Sequence, residues 1–515
     1  MNKYIFIISC LFFCSAAVAE ILETSSVQIG KTQYLGVYDK ENNQFIFRGI
    51  PYAEPPIGDL RWRSPKSYQT DQKKIQTEKF QPVCMQDDGN TEWYRNVAEL
   101  FGSKRSEVDS IEEMNEDCLY LNIWTDSLDE SSKKPVMFWV HGGGNVNGYS
   151  NEPNYLGNKL AAKGVVVVTI NYRLNAFGFM PHPAMNSDSG NYGLMDQIEA
   201  LRWVQANISK FGGDPENVTF FGESAGAANL AYLIATPLAK DLFHRGISQS
   251  GAYNLAMWTT QDEGLELGKE MQTKLAANNL DEMRNASAEE VLKIATESKL
   301  SYTPSIDGSV VPDILAKRFF EQQFNNVDLM IGTNTNEWFM YLGETVNREA
   351  LKQLVEYSYP EDTKSILNLL ADQDPKIAMD RFETNRQMLC PSVLMAKTMS
   401  KTGNNVYQYY FSRLRNYSEK VLVYHGAEIP YMFDTHDDWL PTNLVDWELT
   451  KIMVNYWVEF ARRGNPNSKE NPTWLEFGKE EHYQILDMPI ASSAKIEKDF
   501  CEIVINEIKQ RSNSE

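Results

Sequence analysis

Basic residues are in short supply in this 515-residue chain: 49 Lys and Arg stand against 70 Asp and Glu, a formal net charge of −21. An acidic surface repels phosphate backbones and anionic headgroups, which argues against nucleic acid and anionic membranes as partners. Long apolar runs are missing after the N-terminal segment, so no membrane-spanning helix is expected. Internal repeats, low-complexity tracts and linker-like runs between halves are also absent. With 42% hydrophobic content, residues 20–515 therefore read as one large domain.

Cysteine is scarce, and two of the six, Cys10 and Cys14, lie in an N-terminal segment that reads as a signal peptide. Lys3 gives a positive start, 4–13 is apolar, and Ala17-Val18-Ala19 is a small-x-small cleavage site before Glu20. The expectation is export through a cleavable signal, to a periplasm or out of the cell. Cys84, Cys118, Cys390 and Cys501 remain. An even number in an exported chain suggests two disulfides, with three pairings open. In the chain-entropy model each contributes at most about 4–5 kcal/mol.

The most informative stretch is 211–226. Residues 217–221 read as a short buried strand, Gly222-Glu223-Ser224-Ala225-Gly226 as a tight turn, and the Ala-rich segment from Ala227 as a helix. A Gly-x-Ser-x-Gly turn between strand and helix pushes the serine hydroxyl into a cleft, which makes Ser224 a candidate nucleophile. The bland alternative is an inert tight turn. A second glycine cluster, His141-Gly142-Gly143-Gly144, closes the apolar strand 135–140. Bare backbone N–H groups there suit an oxyanion hole. A flexible turn is the competing reading, and His141 reads as structural.

Further strands are expected at 119–124, 165–170, 246–249, 328–331 and 406–411. A helix follows Gly190 with Ile198, Leu201, Val204 and Ile208 on one face. Strands alternating with helices imply a parallel sheet with right-handed crossovers. Helical patterns fill 263–300, 348–385 and 449–463, and a charged helix ends the chain. The polar excursion between Cys84 and Cys118 carries Trp93, Tyr94 and Phe101, and reads either as a cleft cover or as plain surface.

A serine hydroxyl needs a base, and only six histidines exist. Four follow Ser224. His244 is too close in sequence, and His482 follows Glu480-Glu481 in a polar stretch and reads as exposed. His425 lies on a glycine-containing loop after a strand, with His436, eleven residues on, as a rival. The acid must sit on a loop after a strand, as Glu337 does.

These motifs converge on a family. The chain resembles the type-B carboxylesterases, the cholinesterase-like branch of the α/β-hydrolases, over nearly all of its mature length. The resemblance is carried by 211–226, 116–124, the Gly142–Gly144 loop, 190–197, 332–337, 425–433 and 461–467. It implies an α/β-hydrolase fold: a large, mostly parallel central sheet flanked by helices, with helical insertions around the cleft. It implies Ser224 as nucleophile, Glu337 as acid and His425 as base, with an oxyanion hole from the N–H groups of Gly143, Gly144 and Ala225. It also implies the pairings Cys84–Cys118 and Cys390–Cys501, Ser250 as a support behind the triad, and Glu223 as a pocket carboxylate. The animal branch's middle disulfide is missing, because no cysteine lies between Ser224 and Glu337.

The expected activity is hydrolysis of small-molecule carboxylic esters without metal or cofactor. Cholinesterases carry a tryptophan ten residues before the second cysteine of the first disulfide, and Val108 stands there. Trp93 lies elsewhere in the same loop, so specificity for choline esters is not expected. Met257, Trp258, Trp338, Phe339 and Met340 fall where acyl-pocket walls are expected, and as a group they read equally as ordinary core. The alternatives are a lipase or a specialised bulky-ester hydrolase, and a non-catalytic adhesion protein of the same fold. The intact Ser224, Glu337 and His425 argue against the last.

Overall fold

The computed structural model of the chain describes residues 23–108, 111, 113–185, 190–298 and 302–514, so the expected signal peptide lies outside the described residues. Thirteen strands among these form one sheet. In chain order they are β1 (Glu23–Ile29), β2 (Thr32–Asp39), β3 (Gln44–Pro51), β4 (Lys74–Gln76), β5 (Tyr120–Thr125), β6 (Lys134–Val140) and β7 (Val166–Ile170). The remainder are β8 (Gly213–Glu223), β9 (Arg245–Gln249), β10 (Asp328–Asn334), β11 (Val406–Phe411), β12 (His482–Leu486) and β13 (Ala491–Ala494). The spatial order is β1-β2-β3-β5-β7-β6-β8-β9-β10-β11-β12-β13, with β4 beside β2.

From β7 through β12 every neighbouring pair is parallel. β1, β2, β3, β5 and β13 are antiparallel additions at the two edges, and the short β4 runs parallel to β2. The central parallel strands β6, β7 and β10 are largely apolar, as suits strands covered by helices on both faces. Alternate side chains sort to opposite sides. Phe138, Val140, Val168, Phe220 and Ile331 pack on one face, with the helices Tyr192–Asn207, Ala225–Ala235, Cys390–Met399 and Lys498–Ser514. Trp139, Val167, Phe221, Met330 and Tyr409 pack on the other, under the helix Leu444–Arg463. This is the α/β architecture expected.

The long helix begins earlier than the apolar period predicted. Asn443 caps it, accepting from the N–H groups of Val445 (2.8 Å) and Asp446 (3.2 Å), while Asp446 accepts from the N–H of Asn443 (2.8 Å). A capping box extends the helix over residues that bury little, so periodicity alone overlooks that turn. β12 and β13 were not anticipated. His482, read as exposed, is half-buried at the start of β12, where backbone pairing with β11 and β13 overrides a polar local sequence. The segment after Arg48 continues in strand as far as Pro51, which ends β3 opposite Tyr120.

Both disulfides have the implied partners, Cys84–Cys118 and Cys390–Cys501. The second joins the helices Cys390–Met399 and Lys498–Ser514 on one face. Among the described residues no helix is long and apolar enough to cross a membrane.

A buried ion pair fixes the segment after β7. Arg173 donates to Asp196 through Nε (2.8 Å) and Nη2 (2.7 Å), and its backbone N–H adds a third bond at 3.0 Å. Asp196 is fully buried. Removing one partner of such a pair strands the other charge. Asp196→Asn is therefore expected to destabilise the fold by about 3–5 kcal/mol, measured by chemical denaturation.

Candidate active site

The shared register of the parallel strands gathers the site. Val140, Gly222, Ser248 and Ile331 lie in one row across β6, β8, β9 and β10. The glycine cluster, Ser224, Ser250 and Glu337 all follow within a few residues of that row, at the carboxyl ends of the strands. Open α/β sheets present ligands there.

Ser224 sits between β8 and the helix Ala225–Ala235 with φ 53° and ψ −122°. A non-glycine residue at positive φ is strained, typically by about 1–3 kcal/mol, and must be held by its surroundings. Its N–H donates to the Gln249 carbonyl at 2.8 Å. The turn is tight enough that a Cβ on Gly226 would stand 2.0 Å from the Val140 carbonyl oxygen. One on Gly142 would stand 2.7 Å from Glu223 Oε2. Both positions therefore accept only glycine, and the Gly142–Gly144 loop lies directly against the serine turn. Ala225 opens its helix, so its N–H has no partner within the helix.

Glu337 is fully buried on the loop after β10, and both its oxygens are engaged. Oε1 accepts from Ser250 Oγ at 2.6 Å and from the Asn334 N–H at 2.7 Å. Oε2 stands 2.6 Å from His425 Nδ1. His425 Nε2 lies 3.2 Å from Glu223 Oε1. Burial alone would depress the imidazole, but Glu223, Glu337 and Glu428 outweigh it and hold its pKa well above the usual range. Burial, with repulsion from Glu428 and Glu337, pushes the Glu223 carboxyl up, while His425 pulls it down.

The other histidines are engaged elsewhere. His436 accepts from Arg415 Nη2 (2.9 Å) and pairs with Thr450 (2.8 Å), and burial and Arg415 depress its pKa to about 3. His244 accepts from the Val218 N–H at 3.1 Å, midway along β8 and away from its carboxyl end. His141 is buried, stacks on Tyr172 and has its pKa lowered to about 4 by burial, in line with a structural part.

Ser224, His425, Glu223, Gly143 and Gly144 line one cavity of about 360 Å³. Of the five residues proposed as pocket walls, Trp338 lines it. The others do not. Met257 is exposed, Trp258 packs under the Arg511 guanidinium, Phe339 under the Lys376 ammonium, and Met340 against the core below the long helix. Adjacent positions in an irregular loop point in different directions, and sequence order does not reveal which.

The Cys84–Cys118 excursion does cover the cleft. It contains a helix, Gly89–Leu100, whose Trp93 and Tyr94 line the cavity. Trp93 thus reaches the cavity despite its distance in sequence from the family's tryptophan position, while Val108 is not among the lining residues. Glu428 and Glu152 were missed. Glu428 accepts from Gln249 Nε2 (2.9 Å) and Asn334 Nδ2 (2.7 Å). Glu152 lines the cavity floor, and burial raises its pKa to about 7. Glu428 lies three residues past His425, a spacing that could have drawn notice. Nothing local marks Glu152.

Residues 23–503 match the model of the carboxylesterase family. The chain belongs to that family. It is 32% identical to the para-nitrobenzyl esterase of Bacillus subtilis (strain 168), over 92% of this chain and 96% of that one. Carboxylesterase 1C of Mus musculus is 31% identical, over 89% and 88% of the two chains. Among solved structures, a PNB esterase superposes with TM-score 0.81 at 29% identity, covering 93% of this chain and 99% of the other. A carboxylesterase from Geobacillus stearothermophilus gives TM-score 0.80 at 26% identity, covering 93% and 99%. The protein is a carboxylic ester hydrolase with the α/β-hydrolase fold.

The charge arrangement of this carboxylesterase is testable directly. Glu223→Gln removes an anion 3.2 Å from the imidazole and is expected to lower the His425 pKa by about one unit, read from its NMR titration.

Proposed function

We infer that this carboxylesterase works as a serine hydrolase through Ser224, His425 and Glu337. The observation that carries the reading is the fixed carboxylate of Glu337, with one oxygen held by Ser250 and Asn334 and the other 2.6 Å from His425 Nδ1. That contact turns Nδ1 to the carboxylate and makes Nε2, which faces Glu223, the nitrogen that takes a proton in the reaction.

In the reaction, Nε2 takes the Ser224 proton as Oγ attacks the ester carbonyl. Glu337 stabilises the imidazolium that forms. The N–H groups of Gly143, Gly144 and Ala225 hold the tetrahedral oxyanion. Nε2 then gives its proton to the departing alkoxide, which leaves as the alcohol. Water, deprotonated by the same nitrogen, hydrolyses the acyl-enzyme and frees the acid. Glu223, beside the nucleophile, raises the basicity of the imidazole.

The substrate is a small-molecule carboxylic ester, with choline esters disfavoured. Residues 20–515 act as one domain, exported after cleavage of 1–19. The disulfides Cys84–Cys118 and Cys390–Cys501 suit an oxidising compartment.

Hydrolysis of p-nitrophenyl esters of increasing acyl length by the mature protein tests the reading. Turnover is expected, and Ser224→Ala is expected to lower kcat by at least about 10⁴-fold. Normal turnover by that variant would overturn the serine mechanism. Ser250→Ala, which frees one side of Glu337, is expected to lower kcat about tenfold with KM little changed, measured on the same esters.

A further inference from the structure

The cavity mouth is crossed by a hydrogen bond between two aromatic side chains from separate insertions. Trp93 Nε1, on the helix Gly89–Leu100, donates to Tyr341 Oη at 2.6 Å. Tyr341 closes the short turn Phe339–Tyr341 that follows Glu337. Both residues line the cavity that contains Ser224. Tyr341 is 46% exposed, which places it at the rim, whereas Glu152, Tyr155, Ile429 and Leu440 are buried and form the floor.

The indole reaches from the rim to the reacting centre. A Cβ on Gly426, the residue after His425, would lie 3.7 Å from Trp93 Cη2. One end of the indole therefore lies beside the histidine loop while its nitrogen is tied to the rim. The two ends are held unequally. The Trp93 ring packs on Tyr94 at 5.0 Å and Tyr424 at 6.0 Å, and Tyr94 Oη is pinned to Glu152 Oε2 on the floor at 2.8 Å. Tyr341 packs on Trp338 at 5.7 Å and is nearly half exposed.

We propose that the Trp93–Tyr341 pair is a bar across the mouth of the cavity that sets how bulky an ester can be and still reach Ser224. The inference rests on Ser224 being the nucleophile. A small ester passes beside the bar. A bulky one must break the hydrogen bond and displace the Tyr341 end, which is the weaker support. A neutral hydrogen bond at an exposed rim contributes at most about a tenfold bias. The ring itself, once in the path, excludes more strongly through overlap.

The test compares kcat/KM of the unsubstituted protein, Tyr341→Phe and Trp93→Ala. The probes are p-nitrophenyl acetate, p-nitrophenyl benzoate (bulky acyl group) and 2-naphthyl acetate (bulky alcohol). The readout is the ratio of each bulky probe to p-nitrophenyl acetate, referred to the same ratio in the unsubstituted protein, which cancels intrinsic reactivity. For at least one bulky probe the ratio is expected to rise about threefold in Tyr341→Phe and at least about tenfold in Trp93→Ala. Tyr341→Phe keeps the ring, so it decides the matter if Trp93→Ala does not fold. Turnover with ratios unchanged in folded variants overturns this inference alone. No turnover of any probe by the unsubstituted protein overturns the serine-esterase reading, and the bar with it.

Discussion

Everything at the candidate site hangs on the parallel register of the central strands. Val140, Gly222, Ser248 and Ile331 share a row, and Gln408 of β11 extends it. Because the chain leaves each strand at nearly the same height, five loops meet in one place. A one-residue slip would turn every side chain of a strand to the other face of the sheet. Burial on both faces forbids that slip, so the same apolar packing that stabilises the core also aligns the loops. The row needs close backbone approach where β6 and β8 end, which is why Gly142 and Gly226 are without side chains.

The second constraint is electrostatic. Glu223, Glu337 and Glu428 are buried around a single imidazole, in a protein already strongly acidic. Such a cluster is tolerable only if its oxygens are hydrogen-bonded or share a counter-charge. Ser250, Asn334 and Gln249 supply donors, and Trp457 Nε1 in turn orients Gln249 at 3.0 Å. His425 supplies the only positive charge among these groups when protonated. Gathering three carboxylates favours the imidazolium over the neutral ring and so makes the imidazole a stronger base.

Much of this was legible in the amino-acid order. The strands at 135–140, 328–331 and 406–411 carry strong apolar runs, and the structure differs from them by only a few residues at their ends. Ser224 was legible because its turn needs glycines at fixed offsets. Glu337 and His425 were readable as loop residues after strands, but their meeting was not, since 88 residues separate them. The helix Gly89–Leu100 escaped notice because its apolar residues serve two surfaces: Val97 enters the core while Trp93 and Tyr94 face the cavity. The periodic signal is weak where a helix has two apolar duties.

By itself, then, the sequence determined the family, the layered α/β class and the chemical identity of the serine turn, all of which depend on residues close together along the chain. Tertiary structure decided which histidine meets the acid, which aromatic side chains wall the cavity, and that Trp93 reaches across to Tyr341. Those outcomes depend on contacts between segments far apart in the chain, 88 residues for Glu337 and His425 and 248 for Trp93 and Tyr341, and on the direction in which irregular loops point their side chains. Neither leaves a periodic trace, because such loops are held by hydrogen bonds to distant partners and not by a local repeat.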